Sequence, residues 1–188
     1  MLCTDALAVP IAVAMRRPTL FDVPAMPILA ASLIVRRAQA EEAGALAALL
    51  GRAYPAEPWD APGTERELFG DETVRATLVV AAEERLVATA SLQVRPDAPE
   101  CGWLRWVATE QDRRREGLAR ALVIGVLALA RQAGCREARL HTTTDRLAAI
   151  ALYLQLGFEP LVRSDGEREA WEQVIGFLRA SDPYRKRI

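Results

Sequence analysis

The sequence predicts a mixed α/β domain. Three observations carry that expectation. The chain has 188 residues and is 51% hydrophobic, about one domain's worth with enough apolar material for a substantial core. Short β-branched runs alternate with segments of helical period. One helix, from near Gly117 to Gly134, is apolar almost all the way round, so it has to be packed on several sides, across a sheet and under further cover.

Residues 1–32 are apolar but carry Pro10, Pro18, Pro24 and Pro27 without a steady period. They are expected to be a poorly ordered N-terminal extension, with Met15 and Met26 as alternative starts, ahead of a domain over 33–188. Leu33-Ile34-Val35 reads as a strand and Ala40 to Tyr54 as an amphipathic helix, with Ala43, Leu46, Ala47, Leu49 and Leu50 on one side. A proline-rich loop, Tyr54 to Glu65, overlaps a short helix over Thr64 to Phe69. Thr77 to Ala82 and Leu86 to Val94 are strands joined by a tight turn at Glu83-Glu84-Arg85. Trp103 to Thr109 is the fourth strand, and the long apolar helix after it stops at Gly134. Ala138 to Thr143 is a strand, Arg146 to Leu156 a helix closed by Gly157, and Phe158 to Val162 a last strand before the turn Ser164-Asp165-Gly166. Trp171, Val174, Ile175 and Leu178 have helical spacing, but the preceding strand would welcome a hairpin partner, so Arg168 to Leu178 is expected as strand.

The net charge is −1, which gives no pull toward nucleic acid or an anionic membrane. Cys3, Cys101 and Cys135 are odd in number and widely spaced, as suits a reduced cytoplasmic protein rather than a disulfide framework. With His141 the only histidine, a metal site is not expected. The longest membrane-span candidate, Ala121 to Ala130, falls well short of the roughly 20 residues a span needs.

Strand, then QDRRREGLA, then helix is a phosphate-binding layout. The first N–H groups of a helix have no partner within it, and with the helix dipole they form an anion site. Gly117 permits a sharp turn and a close approach to the backbone, Ala119 stays small, and Arg113, Arg114, Arg115 and Arg120 can neutralise diphosphate charge. GxxxxGK[ST] and GxGxxG are both absent, although Glu137 lies about 20 residues on, where a ribose-binding acid would stand. A solvated basic cap before a core helix would use the same residues, and on the turn alone the two readings stand level.

A second signature follows at RLAAIALYLQLGFEPL, Arg146 to Leu161. Arg114-Arg115-Glu116-Gly117-Leu118-Ala119 resembles the [Q/R]-x-x-G-x-[G/A] turn of the GNAT superfamily of N-acetyltransferases. Ala149-Ile150-Ala151-Leu152-Tyr153-Leu154-Gln155-Leu156-Gly157-Phe158 resembles that family's A-x-x-L-Y-x-x-x-G-F ending, and the likeness runs from about Leu33 to Val162.

The resemblance implies a central, mostly antiparallel sheet of six to seven strands, a splayed pair at its fourth and fifth strands, and about four helices. A bulge in the fourth strand would expose backbone groups of Val107, Ala108 and Thr109 to pantetheine, as in β-augmentation. Acetyl-CoA would set its diphosphate on Arg114, Arg115, Glu116, Gly117, Leu118, Ala119 and Arg120, with no metal required. A neutral amine would attack the thioester, and Tyr153 would protonate the leaving thiolate; the other reading of Tyr153 is a core residue pinned by Gly157-Phe158. The base is open between Glu110, read as a solvated loop residue, His141 and a water chain. Arg146 stands where the family often has asparagine.

The acceptor, a small-molecule or peptide amine, would meet Tyr54, Trp59 and Phe69 with Glu57, Asp60, Glu65 and Glu67. The expected protein is a cytoplasmic monomer or homodimer. A non-catalytic acyl-CoA-binding or sensing module of the same fold is the alternative, and a nucleotide-binding Rossmann-type protein is a weaker one.

Overall fold

The computed structural model describes residues 9–181. Their strands are β1 (Ala12–Arg17), β2 (Leu33–Arg37), β3 (Val74–Ala82), β4 (Arg85–Val94), β5 (Cys101–Thr109), β6 (Glu137–Thr143) and β7 (Glu159–Leu161). The α-helices are α1 (Ala43–Ala53), α2 (Ala61–Glu65), α3 (Leu118–Gln132), α4 (Leu147–Gln155) and α5 (Asp165–Ala180). The mixed α/β class is as expected, with seven strands and one helix more than the four or so anticipated. The elements fall into two compact units, residues 19–138 and residues 9–18 with 139–181.

In the first unit β2, β3, β4 and β5 form an antiparallel meander in that order. Successive strand residues point to opposite faces, and β3 uses both. Val79 and Ala81 join Leu46, Leu49 and Leu50 of α1 in one apolar cluster with Leu86 and Ala108. Leu78 faces the other way, onto α3, which lies across β3, β4 and β5. A Cβ on Gly125, in the middle of α3, would come within 2.8 Å of Leu78 Cδ1 and 3.4 Å of Met26 Cε. The missing side chain therefore lets helix and sheet close up, and the covering layer that the apolar helix demanded includes Met26. Thr77 and Ser91, buried between the strands, satisfy each other at 3.0 Å.

β5 is irregular where it matters. Thr89 pairs with Ala108 and Ser91 with Arg105, so Ala90 alone faces both Trp106 and Val107. That is a β-bulge, and Trp106 absorbs it with φ of 54°.

The second unit has strand order β6-β1-β7, with β1 antiparallel to β7 through Ala14↔Leu161 and Arg16↔Glu159. Two expectations change here. Within residues 1–32, read as a poorly ordered extension, Ala12–Arg17 forms a strand with Val13, Ala14 and Met15 buried. Residues 168–178, expected as strand, belong to α5: Ser164 caps it by accepting from the Glu167 N–H at 3.2 Å, and Trp171, Val174 and Leu178 form its buried stripe. The two corrections have one cause, since the hairpin partner sought for β7 in the residues after it is supplied by β1. Arg17, buried at the end of β1, donates to the Leu156 carbonyl at the C-terminus of α4.

Candidate active site

After β5 the chain makes one 3-10 turn, Gln111–Arg113, and then two left-handed steps at Arg115 (φ 69°) and Gly117 (φ 81°) before entering α3. Such a conformation strains any residue with a Cβ; Gly117 accepts it freely. No side chain caps the helix at Gly117, and beyond its chain neighbours and its own helix nothing lies within 4 Å of the place its Cβ would occupy. The first N–H groups of α3 are therefore left without a side-chain cap. Arg113 is already committed, donating to both oxygens of Glu116 at 2.8 Å, and this bond holds the Glu116 carboxyl below its usual range. The guanidinium groups of Arg114, Arg115 and Arg120 have no protein partner among the described residues. Leu118 is 1% exposed, so its side chain belongs to the core and only its backbone can serve a ligand.

The bulged end of β5 is anchored from α1. The Tyr54 hydroxyl donates to the Val107 carbonyl at 2.8 Å, leaving that oxygen partly engaged. Ala108 is buried, and the buried Thr109 hydroxyl has no hydrogen-bond partner among the described residues. Glu110, expected to be a solvated loop residue, is 5% exposed and ion-paired. Arg52 donates to both its oxygens, at 3.2 Å from Nε to Oε2 and through a second contact to Oε1, and Arg85 lies 3.4 Å from Oε1. Both oxygens face guanidinium, so Glu110 is a strut between α1, β4 and β5.

The other named residues sit in the second unit. Tyr153 lies on α4, 6% exposed, with its ring 5.8 Å from that of Phe158 in an edge-to-face contact. Its carbonyl accepts from the Phe158 N–H at 3.0 Å, the geometry that Gly157 with φ of 80° closes. His141 is on the exposed side of β6, opposite buried Ala138 and Leu140. Arg146 precedes α4 and makes no side-chain cap.

A cavity of about 500 Å³ opens between the loop after α1, α2 with the turn that follows it, and the bulge. Trp106 lines it. Trp59 packs edge-to-face on the Trp106 ring at 4.7 Å, Tyr54 does so at 5.8 Å, and the Arg105 guanidinium lies 4.7 Å from the ring centroid. Arg105 also donates to Gln93 Oε1 at 3.0 Å. At the rim, the Thr73 hydroxyl and N–H donate to Asp71 at 2.7 and 2.8 Å, which holds its carboxyl below the usual range. Trp59, Glu57 and Glu67 were legible in the sequence; Arg66, Arg105 and Trp106 were not, because only the bulge and the π-helical turn Arg66–Gly70 bring them to the same cavity.

Residues 44–158 match the model of the acetyltransferase (GNAT) family. Human N-acetyltransferase 8 is 46% identical over 50 residues, a stretch that is 27% of this chain and 22% of that protein. A GNAT-family protein from Novosphingobium aromaticivorans is 25% identical with a TM-score of 0.56, over 80% of this chain and 59% of that one. The aminoglycoside acetyltransferase AAC(6')-Iy, solved with a CoA-derived bisubstrate analogue, shares the fold at 19% identity and a TM-score of 0.62, over 70% of this chain and 94% of that one. The chain thus spans about a fifth of its curated relative and under two thirds of the first of these structures. It belongs to the acetyltransferase (GNAT) family.

Proposed function

We propose that this chain transfers an acetyl group from acetyl-CoA to a primary amine by direct attack of the amine on the thioester. The observation that carries the reading is the open turn at Gly117: uncommitted helix N–H groups, space where a side chain would be, and three arginines without protein partners. Arg114, Arg115 and Arg120 neutralise the diphosphate, and the backbone of Glu116, Gly117, Leu118 and Ala119 donates to it. The bulge supports the second part of the site. It interrupts the ladder at Trp106-Val107, and the backbone of Val107, Ala108 and Thr109 supplies hydrogen bonds to the pantetheine arm and holds the charge developing on the carbonyl oxygen. Tyr153 gives its phenolic proton to the departing thiolate, whose free pKa is about 8.5 as for a cysteine. Glu110 is engaged by two guanidinium groups, so the proton lost by the amine leaves by another route.

Free CoA thiol is measured while the full chain turns over acetyl-CoA with a panel of amines. The expected result is thiol release that depends on an amine, with Tyr153→Phe losing about 10²-fold or more in turnover at unchanged acetyl-CoA affinity. Binding of acetyl-CoA without thiol release from any amine would mark a sensing module instead.

A further inference from the structure

The cavity beside Trp106 carries information about the acceptor that the aromatic and acidic composition alone does not. A cationic amine would ordinarily be drawn to an indole face. Here the chain has filled that role itself: Arg105 stands over Trp106 at 4.7 Å, and Trp59 and Tyr54 approach the ring edge-to-face. The carboxylates are not equally available either. Asp71 is occupied by Thr73, and Glu67 leans on Arg105 at 4.0 Å. Two charged side chains lining the cavity remain without a side-chain partner among the described residues, the Glu57 carboxylate and the Arg66 guanidinium. One asks for a cation and the other for an anion. Pro58, Trp59 and Trp106 line the same cavity and supply its apolar surface.

Resting on the transferase reading above, we propose that the cavity takes an acceptor bearing its own carboxylate, an α-amino acid with an apolar or aromatic side chain. Arg66 receives the carboxylate through paired N–H donors, and Glu57 draws the ammonium form to the mouth of the cavity. The tryptophans cover the side chain. A planar guanidinium fits a carboxylate bidentately, which a lysine would not. The cavity of about 500 Å³ is ample for one such molecule.

The test reads binding without acetyl-CoA, so it stands whether or not transfer occurs. L-phenylalanine, its carboxamide and an aminoglycoside are titrated calorimetrically into the full chain. Phenylalanine is expected to bind about tenfold or more tighter than the carboxamide, the worth of a charge-assisted pair. Arg66→Gln should remove that preference; Arg66→Lys should restore it only in part. Equal or tighter binding of the carboxamide, a preference that survives Arg66→Gln, or tight binding of the aminoglycoside alone would overturn the proposal. So would failure of all three to bind. If phenylalanine binds as expected but neither it nor any amine of the panel releases thiol from acetyl-CoA, the transferase reading fails and the cavity assignment stands.

Discussion

Two groups of arginines flank the end of β5 and are used in opposite ways. Arg52 and Arg85 converge on buried Glu110, and Arg85 reaches Asp112 as well, at 3.3 Å. A few residues later Arg114, Arg115 and Arg120 engage no side chain among the described residues. The first group fixes where the strand ends. The second is left open above a helix N-terminus whose N–H groups are also uncapped. Arginine content is therefore no guide to the ligand; what distinguishes the two groups is whether the chain already supplies the counter-charge.

Substitutions should separate the two groups. The largest effect is expected at Gly117, on the open side. With φ at 81° a β-branched residue is strained by about 1–3 kcal/mol and its side chain fills the approach to the N–H groups. Gly117→Val should weaken acetyl-CoA binding by about 100-fold, measured by calorimetry. Next, Arg114→Gln with Arg115→Gln should weaken it by about tenfold and flatten its dependence on salt. Their melting temperature should hold, since exposed substitutions usually stay within about 0.5 kcal/mol. A double variant that melts early would show these arginines to be part of the frame.

Glu110→Gln should do the reverse. It should destabilise by about 1 kcal/mol, a figure discounted because Arg52 and Arg85 are 58% and 56% exposed, and should leave acetyl-CoA affinity within about twofold. A large loss of affinity without loss of stability would erase the distinction between the groups. The smallest effect is on acid stability. Thr73 holds the Asp71 carboxyl low, so its contribution is present above the ordinary carboxylate value and is lost as pH falls through the lowered one. Below about pH 4, Asp71→Asn should reduce the acid sensitivity of melting slightly; an unchanged profile would remove Asp71 from the rim's electrostatics.

What the sequence reveals depends on how local the cause is. The turn and α3 were legible because a glycine, a run of arginines and an apolar helix lie next to one another. The central strands were legible for the same reason, with β3, β4 and β5 each extending only a residue or a few beyond expectation. β1 was missed because its place is set by a partner more than a hundred residues away; Val13, Ala14 and Met15 are all buried, so no in–out alternation announces it. In α5 the spacing of Trp171, Val174 and Leu178 was the right evidence, and an argument from strand pairing displaced it. The bulge at Trp106 is a backbone event, and the state of Glu110 depends on side chains arriving from α1 and β4. The bulge was expected only through the family resemblance, and nothing at position 110 itself marks the ion pairs.

On the proposed function, the bulged end of β5 and the Gly117 turn bind one acyl-CoA together through backbone groups. Amide hydrogen exchange of the full chain with and without acetyl-CoA reads both places at once. Slower exchange at both residues 107–109 and residues 117–120 is expected when the ligand is present; unchanged exchange at both, under conditions where the ligand is shown to bind, would contradict the account.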